Sequence, residues 1–598
     1  MRPQRLLTML FAIVTLHVLA WALAPGRLWG LSHLAAWPAA WAWGATAVVL
    51  LLLFVATRRP LDAPPFPGWR GAVVAALVAG MLFWLLRERT HFFGDGYLLI
   101  RDRGMSESVT RAPLLVASAT RAVRLADSHL GFAAETTLAL LAVVAGVVGI
   151  FLLLRLAASI GSDRTERWTL AILLASAGSV QLFFGHVEYY AALAAGVLLY
   201  LALATRALAR ERWTAIGLWS YGALLPLHLS TLGLAPAHAY LFARAWRAGR
   251  RRQVLLALPG CLLLAWGLTR IAGGGASELA STSFAGWSRY TDPFFDASTA
   301  RHAFGFLSPS HLLAVANDLL LAAPLLLVVL PTWWAARRNA ARQSSSMATA
   351  LGRFLALAAL GCVGVNLLFA RELGPYRDWD ILAAYGFVGL TFTGVVLLRA
   401  GAGRYWLPYL LCALYHTLPW VVMNASDRAV MTHLRLVLAE ESQWSPHAHA
   451  YMHESLAIYY RERGDEEASL REYEAAVQAN PADSRYRVGL GNRYVQRGDM
   501  RAAAREYQQA VEQRPGYAPG HNNLAFVLAA LGEELERARH HAQEALRLDP
   551  SNADYWLTLA RVEVADGRRL QAGEAARRAL TLRRSFPAAE ELLRGLEE

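Results

Sequence analysis

Long apolar runs separated by short polar connections occupy the first 424 residues of the chain. A helix needs about 20 mainly apolar residues to cross a bilayer, so these runs predict membrane-spanning helices. The run at 213–246 is interrupted by Pro226-Leu-His-Leu-Ser230, which predicts two short helices that meet at this break. The other runs lie near 6–25, 36–57, 69–86, 134–157, 168–185, 189–206, 253–270, 311–334, 350–370, 380–399 and 405–423, which gives about 13 crossings.

A different pattern begins near residue 450 and repeats every 34 residues. Small residues, an aromatic residue and a final Pro recur at this spacing, a pattern typical of tetratricopeptide (TPR) repeats. The recurring residues include Gly464, Tyr473 and Pro481 in one unit and Gly498, Tyr507 and Pro515 in the next. We therefore expect an all-α chain with a polytopic membrane domain at 1–424, a helical linker at 425–449 and about four TPR units plus a capping helix at 450–598. Such a solenoid offers a concave groove for a protein or peptide partner, and the alternative is a rigid spacer without a ligand.

Composition separates the same two parts of the chain. Residues 1–424 contain 35 Arg and 18 acidic residues, whereas residues 425–598 contain 23 Arg and 27 acidic residues. The apolar excess of the whole chain, 56% hydrophobic and 17% charged, excludes an ordinary cytosolic enzyme and a disordered chain. Because the positive surplus lies between hydrophobic runs, the net charge of +13 does not indicate a nucleic-acid partner. The three Cys residues lie inside apolar runs without CxxC spacing, so we expect no disulfide framework or thiolate metal site.

The Arg-rich connections predict the orientation of the spans. Cytoplasmic loops carry an excess of basic residues, and an N-terminus in the cytoplasm places every short Arg-dense loop on that side. These loops contain Arg58 and Arg59, Arg164 and Arg167, Arg206, Arg210 and Arg212, Arg247 to Arg252, Arg337, Arg338 and Arg342, and Arg399 and Arg404. The sequence thus predicts an integral inner-membrane protein whose TPR domain lies on the outer face, the periplasmic face in a Gram-negative host. The first span could instead be a cleaved signal peptide, although its apolar run is longer than usual.

Two of the predicted outer connections combine acidic residues with His. Asp95, four residues after His91, has a Gly on each side, and this turn would present its carboxylate to a cavity as a general base or metal ligand. His186 and Glu188 lie in a short connection between two spans, where both side chains can face one cavity and hold a metal ion. The alternatives are a helix-capping role for Asp95 and a hydrogen-bonded interfacial pair for His186 and Glu188.

Two further predicted outer segments contain polar residues whose placement near a membrane costs free energy when they are unpaired. His228 lies in the break of the 213–246 run, and broken membrane segments are tolerated where they line a polar cavity. The connection 371–380 contains Arg371, Arg377, Asp378 and Asp380, and Arg side chains can bind phosphate oxygens in a bidentate manner. The alternatives are a packing role for His228 and ion pairs within 371–380.

With these residues in place, the membrane part resembles the GT-C class of integral-membrane glycosyltransferases, which includes the protein O-mannosyltransferases. The resemblance covers about 69–423 and rests on a span, an acidic motif at Asp95, an amphipathic segment at 108–130 and a further span. The family's motif has two acids after the first span, whereas this chain has one, in Gly-Asp-Gly, after the third. TPR repeats behind such a core also resemble TPR-bearing O-mannosyltransferases of the secretory pathway.

The resemblance implies transfer of a sugar from a polyprenyl-phosphate donor on the outer face, with inversion at the sugar carbon. It implies that Asp95 is the general base or positions a divalent metal, that His186 and Glu188 complete a metal or acceptor site, and that Arg371 and Arg377 hold the donor phosphate. Membrane lipid and the lipid-linked sugar are then partners beside the one in the TPR groove. The alternatives are a non-catalytic TPR scaffold for envelope assembly and a transporter.

Overall fold

The structure of the chain is a computed structural model, and it describes residues 3–58, 61–92, 96, 100, 113–271, 308–328, 332, 346–368, 376 and 379–597. All regular secondary structure in these ranges is helical, as the sequence predicts. The chain divides into two compact units, Met1–Gln443 and Trp444–Glu598. Asp95, Arg371, Arg377 and Asp378, four of the candidate site residues, lie outside the described residues.

The first unit contains sixteen helices within the described residues. In chain order they are α1 (Pro3–Leu23), α2 (Ala39–Arg58), α3 (Trp69–Leu85), α4 (Pro113–Leu130), α5 (Ala134–Ile160), α6 (Arg164–Ala175), α7 (Tyr190–Ala209), α8 (Thr214–Leu224), α9 (Ala235–Arg247), α10 (Arg251–Ile271), α11 (Pro309–Ala322), α12 (Ser346–Leu368), α13 (Trp379–Ala383), α14 (Tyr385–Arg399), α15 (Trp406–Asn424) and α16 (Asp427–Leu438).

Seven of these helices, α1, α2, α5, α7, α10, α12 and α15, are long and apolar enough to cross a membrane, and α3 and α14 are shorter apolar helices. Their apolar side chains are largely exposed on α2, α3 and α10, as expected for surfaces that face lipid rather than protein. The 213–246 run forms two helices, α8 and α9, joined by a 3₁₀ turn at Leu229–Leu234. The total of thirteen crossings stays a prediction.

Three of the predicted spans are interrupted rather than continuous. The 168–185 run ends its α-helix at Ala175 and continues as a 3₁₀ turn, Gly178–Phe183, and the 311–334 run continues after α11 as the turn Pro324–Val328. The 380–399 run consists of the short helix α13 and the longer helix α14. The turn Gly178–Phe183 packs closely against the end of α11 and the start of α14, because a side chain at Gly178 would overlap the carbonyl of Leu321, and one at Gly386 would overlap Ser179. The hydropathy of the sequence does not predict these close contacts of the backbone.

The helix α16 belongs to the first unit, although the sequence places it in the linker 425–449. His433, on the buried face of α16, lies between the Ser32 hydroxyl, 2.9 Å from Nε2, and the Tyr376 hydroxyl, 2.8 Å from Nδ1. Burial lowers the pKa of His433 to about 3. His433 is therefore a neutral packing residue that attaches α16 to the connection between α1 and α2 and to the segment before α13.

The second unit consists of four helical pairs and a final helix. The pairs are α17 (Pro446–Glu462) with α18 (Glu466–Ala479), α19 (Ser484–Gln496) with α20 (Met500–Gln513), α21 (Ala518–Leu531) with α22 (Leu535–Leu548), and α23 (Ala553–Ala565) with α24 (Arg569–Leu582), followed by α25 (Pro587–Glu597). Each pair turns at a Gly with positive φ, at positions 464, 498, 532 and 567. In the second pair the Tyr507 ring packs where Gly491 leaves room, so a side chain there would collide with it.

A buried imidazole pair in the second unit predicts a pH-dependent stability. His521 Nε2 donates to the carbonyl of Pro515, and the Nδ1 atoms of His521 and His541 share a hydrogen bond at 3.0 Å. Burial, with a smaller unfavourable interaction with the His521 ring, lowers the pKa of His541 to about 4. The unfolded chain takes up this proton near pH 6.5, so stability is complete above that pH and falls towards pH 4.

For a fragment comprising residues 444–598, we expect the free energy of unfolding to fall by about 1–2 kcal/mol between pH 7 and pH 4.5 through this pair. Urea denaturation at several pH values measures it. The His541→Gln variant should lose this pH-dependent component, whereas His540→Gln, which alters the exposed neighbour, should retain it. Equal pH profiles for the two variants would contradict the assignment.

Candidate functional site

Three buried ionisable side chains from distant parts of the chain meet in the first unit. His186 Nδ1 lies 2.7 Å from Glu88 Oε2, and His186 Nε2 lies 2.9 Å from Asp380 Oδ2. The exposed fractions of Glu88, His186 and Asp380 are 4%, 1% and 0%. These three residues are the Glu88–His186–Asp380 cluster, which contains two of the residues predicted from the sequence.

Backbone contacts at the ends of three elements position this cluster. Glu88 follows the end of α3, and its N–H donates to the carbonyl of Phe184 at 2.8 Å. Gly185 has φ +67° and packs against Arg87, so the chain reverses direction next to His186 at a place where a larger residue would be strained. Asp380 is the second residue of the short helix α13. The interruption of the predicted span at α13 thus places this carboxylate beside the His186 ring.

The charges of the carboxylates determine the protonation of His186. Burial would lower its pKa, but the charge of Glu88 and hydrogen bonds with Asp380 and Glu88 raise the pKa well above its usual value. His186 is therefore an imidazolium that donates from both ring nitrogens. The second oxygens, Glu88 Oε1 and Asp380 Oδ1, are buried and have no hydrogen-bond partner among the described residues. Two carboxylates around one cation leave an acceptor-rich centre that can receive a hydroxyl group or a proton.

Glu188 and His91 lie close in the chain to members of the Glu88–His186–Asp380 cluster. Glu188 is buried and lines a cavity of about 250 Å³ between α4, α5 and the start of α7. His91 Nε2 donates to Glu135 Oε1 at 3.2 Å and packs against Gly96. Gly96, the residue after Asp95, also lies against the carbonyl of Val187. Gly96, the one described residue of the Gly-Asp-Gly motif, is thus next to the connection that carries His186 and Glu188.

His228 has a local structural role at its ring Nδ1. This atom lies 2.8 Å from Ser230 Oγ and accepts from the Ser230 N–H, which caps the 3₁₀ turn. The His228 ring meets the Tyr190 ring edge-on, with 5.5 Å between centroids. The break of the 213–246 run therefore packs against the start of α7, four residues after His186.

The described members of the predicted metal set do not fit a metal ion in this arrangement. Both ring nitrogens of His186 are engaged with carboxylates, so neither has a lone pair for a metal. Within the described ranges, no group of three or more His, Cys, Asp or Glu side chains is arranged to hold a metal ion. Asp95, the third predicted ligand, lies outside these ranges.

An apolar cavity of about 340 Å³ lies beside the helix that carries Asp380. Its walls come from α11, the turn Pro324–Val328, α12, α13 and α14, and include Leu321, Leu326 and Phe392. Polar groups of Asp318, Asn366 and Trp379 also line it, and Trp379 is the residue next to Asp380. The interrupted spans thus enclose an apolar cavity next to α13, the helix that carries the buried Asp380 carboxylate.

Sequence reasoning identified His186 and Asp380 separately but did not identify Glu88. The available signal was a single acidic residue at the end of a predicted span, in Arg87-Glu88-Arg89. In the structure this carboxylate is buried, with His186 as its partner.

The comparisons with known proteins concern the second unit. Residues 491–532 match the family described as TPR repeat, which confirms the prediction for this part of the chain. Among solved structures, MamA is 20% identical over 25% of this chain and 80% of its own (TM-score 0.23), and a thermophilic TPR protein of Thermus thermophilus is 24% identical over 25% and 80% (TM-score 0.23). YrrB, described as a TPR protein with an unusual peptide-binding site, is 18% identical over 28% and 81% (TM-score 0.24). No curated protein sequence matches the chain significantly.

Proposed function

We propose that the chain is a membrane glycosyltransferase that moves a sugar from a polyprenyl-phosphate donor to an acceptor hydroxyl. The observation that carries the proposal is the buried Glu88–His186–Asp380 cluster beside an apolar cavity, in a unit with several membrane-type helices. Such a cavity suits an isoprenoid chain, and the acidic centre suits a sugar with many hydroxyl groups. A structural ion-pair network would also be buried, but here two carboxylate oxygens lack a hydrogen-bond partner among the described residues, which favours a binding role.

In the proposed reaction, the acceptor oxygen attacks the anomeric carbon of the donor sugar. The bond between this carbon and the phosphate oxygen breaks, and polyprenyl phosphate leaves with the bonding electron pair. The proton of the acceptor hydroxyl passes to the carboxylate of Asp95, and the sugar carbon is inverted. Arg371 and Arg377 are the proposed partners of the leaving phosphate, whose developing charge they would stabilise. His186 holds Glu88 and Asp380 in place by donating to both.

The Asp95→Asn variant tests this assignment. The change keeps the size of the side chain and removes its charge, so turnover of a polyprenyl-phosphate sugar should fall at least about 100-fold. Transfer of a radiolabelled sugar by the purified protein in detergent measures the effect. Asp127→Asn, which alters another acidic residue in the adjacent amphipathic helix α4, should retain activity. Unchanged turnover in Asp95→Asn would remove Asp95 from the mechanism and favour the scaffold alternative.

The outer face of the membrane is the proposed side of both the cluster and the TPR unit. The Arg-dense loops support this orientation. A reporter enzyme that is active only in the cytoplasm, fused after Glu598, should therefore be inactive, and a reporter fused within the loop at 247–252 should be active. Strong activity of the C-terminal fusion would contradict both the orientation and the proposed side of the reaction.

The second unit is a TPR repeat domain, a type of domain used for protein interaction. Its proposed role here is to recruit the acceptor or a partner protein to the membrane unit. The match to TPR repeats also supports the alternative of a non-catalytic scaffold for envelope assembly. The two functions differ in one requirement, because a scaffold needs the TPR groove but not the carboxylates of Glu88 and Asp380.

A further inference from the structure

A polar cavity lies at the opposite end of α7 from the Glu88–His186–Asp380 cluster. It has a volume of about 340 Å³ and lies between the ends of α7 and α9, the start of α8 and the early part of α12. The helix α7 has 20 residues, so about 30 Å separates the two ends. This cavity, the arginine cavity, is lined by Arg244, Arg247, Arg250 and Arg353.

The positive charge in the arginine cavity is poorly balanced. Arg250 is 3.8 Å from Glu211, whose side chain is 71% exposed, and this is the one ion pair that the described part of the chain gives these four arginines. Four arginines and one exposed carboxylate nearby thus share a single cavity. Like charges that line one cavity repel one another, and an anion bound between them relieves this repulsion. The arrangement is typical of a site for a negatively charged ligand.

Helix ends explain only part of this cluster. Arg244 and Arg247 are in the last turn of α9, where cations interact favourably with the helix dipole. Arg250 follows α9 and is oriented by its hydrogen bond to the Thr214 hydroxyl, while Arg353 comes from α12, a distant part of the chain. The meeting of arginines from separate elements in one cavity needs a further reason.

We propose that the arginine cavity binds a phosphate group, carried either by an anionic phospholipid or by free phosphate. A guanidinium group donates two parallel hydrogen bonds to phosphate oxygens, and Tyr240, which lines the cavity, offers a hydroxyl group. Leu208 and Leu241 form apolar parts of the wall next to the arginines, which suits the first carbons of a lipid acyl chain. This site is separate from the proposed glycosyl-transfer centre and does not depend on it.

The test compares two double variants of the full-length protein in neutral detergent. Arg244→Gln/Arg353→Gln removes two cavity arginines, and the matched control Arg251→Gln/Arg252→Gln removes two exposed arginines that do not line the cavity. The probes are short-chain phosphatidylglycerol, short-chain phosphatidylcholine and inorganic phosphate, and the readout is the ligand-induced rise in melting temperature. We expect the dissociation constant of phosphatidylglycerol to rise at least about 10-fold in the cavity variant and less than about 2-fold in the control.

Phosphatidylglycerol binding that inorganic phosphate does not reproduce would identify a lipid as the source of the phosphate group. Stabilisation by inorganic phosphate, with the same dependence on the cavity arginines, would identify free phosphate. Equal losses in the two double variants, or no binding of either probe to the wild type, would overturn the proposal. If the double variant does not fold, the Arg244→Lys variant is used instead. Lys keeps the charge but lacks the two parallel donors, so the affinity for phosphatidylglycerol should still fall. Full affinity in this variant would overturn the proposal.

Discussion

Replacing His186 by Ala should destabilise the first unit by about 3–5 kcal/mol, because Glu88 and Asp380 then remain buried without their shared cation. The cost has two origins: mutual repulsion of the carboxylates and loss of the hydrogen bonds that compensate for their burial. Thermal unfolding of the full chain in detergent, followed by the loss of monodisperse protein, measures the effect. An unchanged unfolding temperature would contradict the view that His186 compensates for the burial of the two carboxylates.

A double replacement separates stability from chemistry at this cluster. Glu88→Gln/Asp380→Asn keeps the shapes of both side chains and removes both charges, so His186 can stay neutral and hydrogen-bonded. We expect most of the stability of the wild type and a loss of sugar transfer of at least about 10-fold, because the sugar hydroxyl groups would lose their charged acceptors. Stability and transfer both near wild-type values would show that the cluster has only a structural role.

The pH dependence of this cluster has the opposite sign to that of His541. The folded-state pKa of His186 is raised well above the unfolded value near 6.5. The stabilisation is therefore complete below pH 6.5 and is lost as the pH rises through the folded-state pKa. The first unit should lose stability in alkaline solution, whereas the second unit should lose it in acid.

Removing the TPR unit should abolish turnover of the natural acceptor while the membrane unit remains intact. A chain that ends at Gln443 contains the complete first compact unit, including α16 and His433. We expect it to insert normally and to bind the lipid-linked donor with unchanged affinity. Its rate with the natural acceptor should fall at least about 100-fold, because recruitment by a linked binding module raises local concentration by about 10²–10⁴-fold.

A short generic acceptor at high concentration distinguishes recruitment from catalysis. The truncated chain should transfer sugar to it at a rate close to that of the full chain, since mass action replaces recruitment. Loss of donor binding after truncation would place the TPR unit in the reaction itself. Unchanged turnover of the natural acceptor would show that the repeats have another role.

The sequence predicts the architecture of this protein better than its chemistry. The 34-residue spacing of Gly, Tyr and Pro was sufficient for the repeats, because each unit repeats the same local packing. Hydropathy also located the apolar helices, but it treated 168–185, 311–334 and 380–399 as continuous spans. Their interruptions depend on contacts such as Gly178 against Leu321, which only the folded chain brings about.

The same limit applies to the site. His186 and Asp380 were recognisable as polar residues in costly places, but 194 positions separate them in the chain. Their shared partner Glu88 had no distinguishing spacing, and its burial is a property of the fold. For α16, the sequence predicted a helical linker between the membrane part and the repeats, whereas pairing of His433 with Ser32 and Tyr376 attaches it to the first unit.

The turns of the TPR unit indicate how this domain can change in length. The glycines with positive φ lie at 464, 498, 532 and 567, so the third interval is one residue longer than the first two. The longer interval coincides with Glu534, which also has a positive φ, so the surplus residue is taken up in the turn and the helix pairs are unaltered. Whole 34-residue units can therefore be gained or lost between turns without rebuilding the neighbouring pairs. Homologous chains with a longer or shorter TPR unit should differ in length by whole repeats.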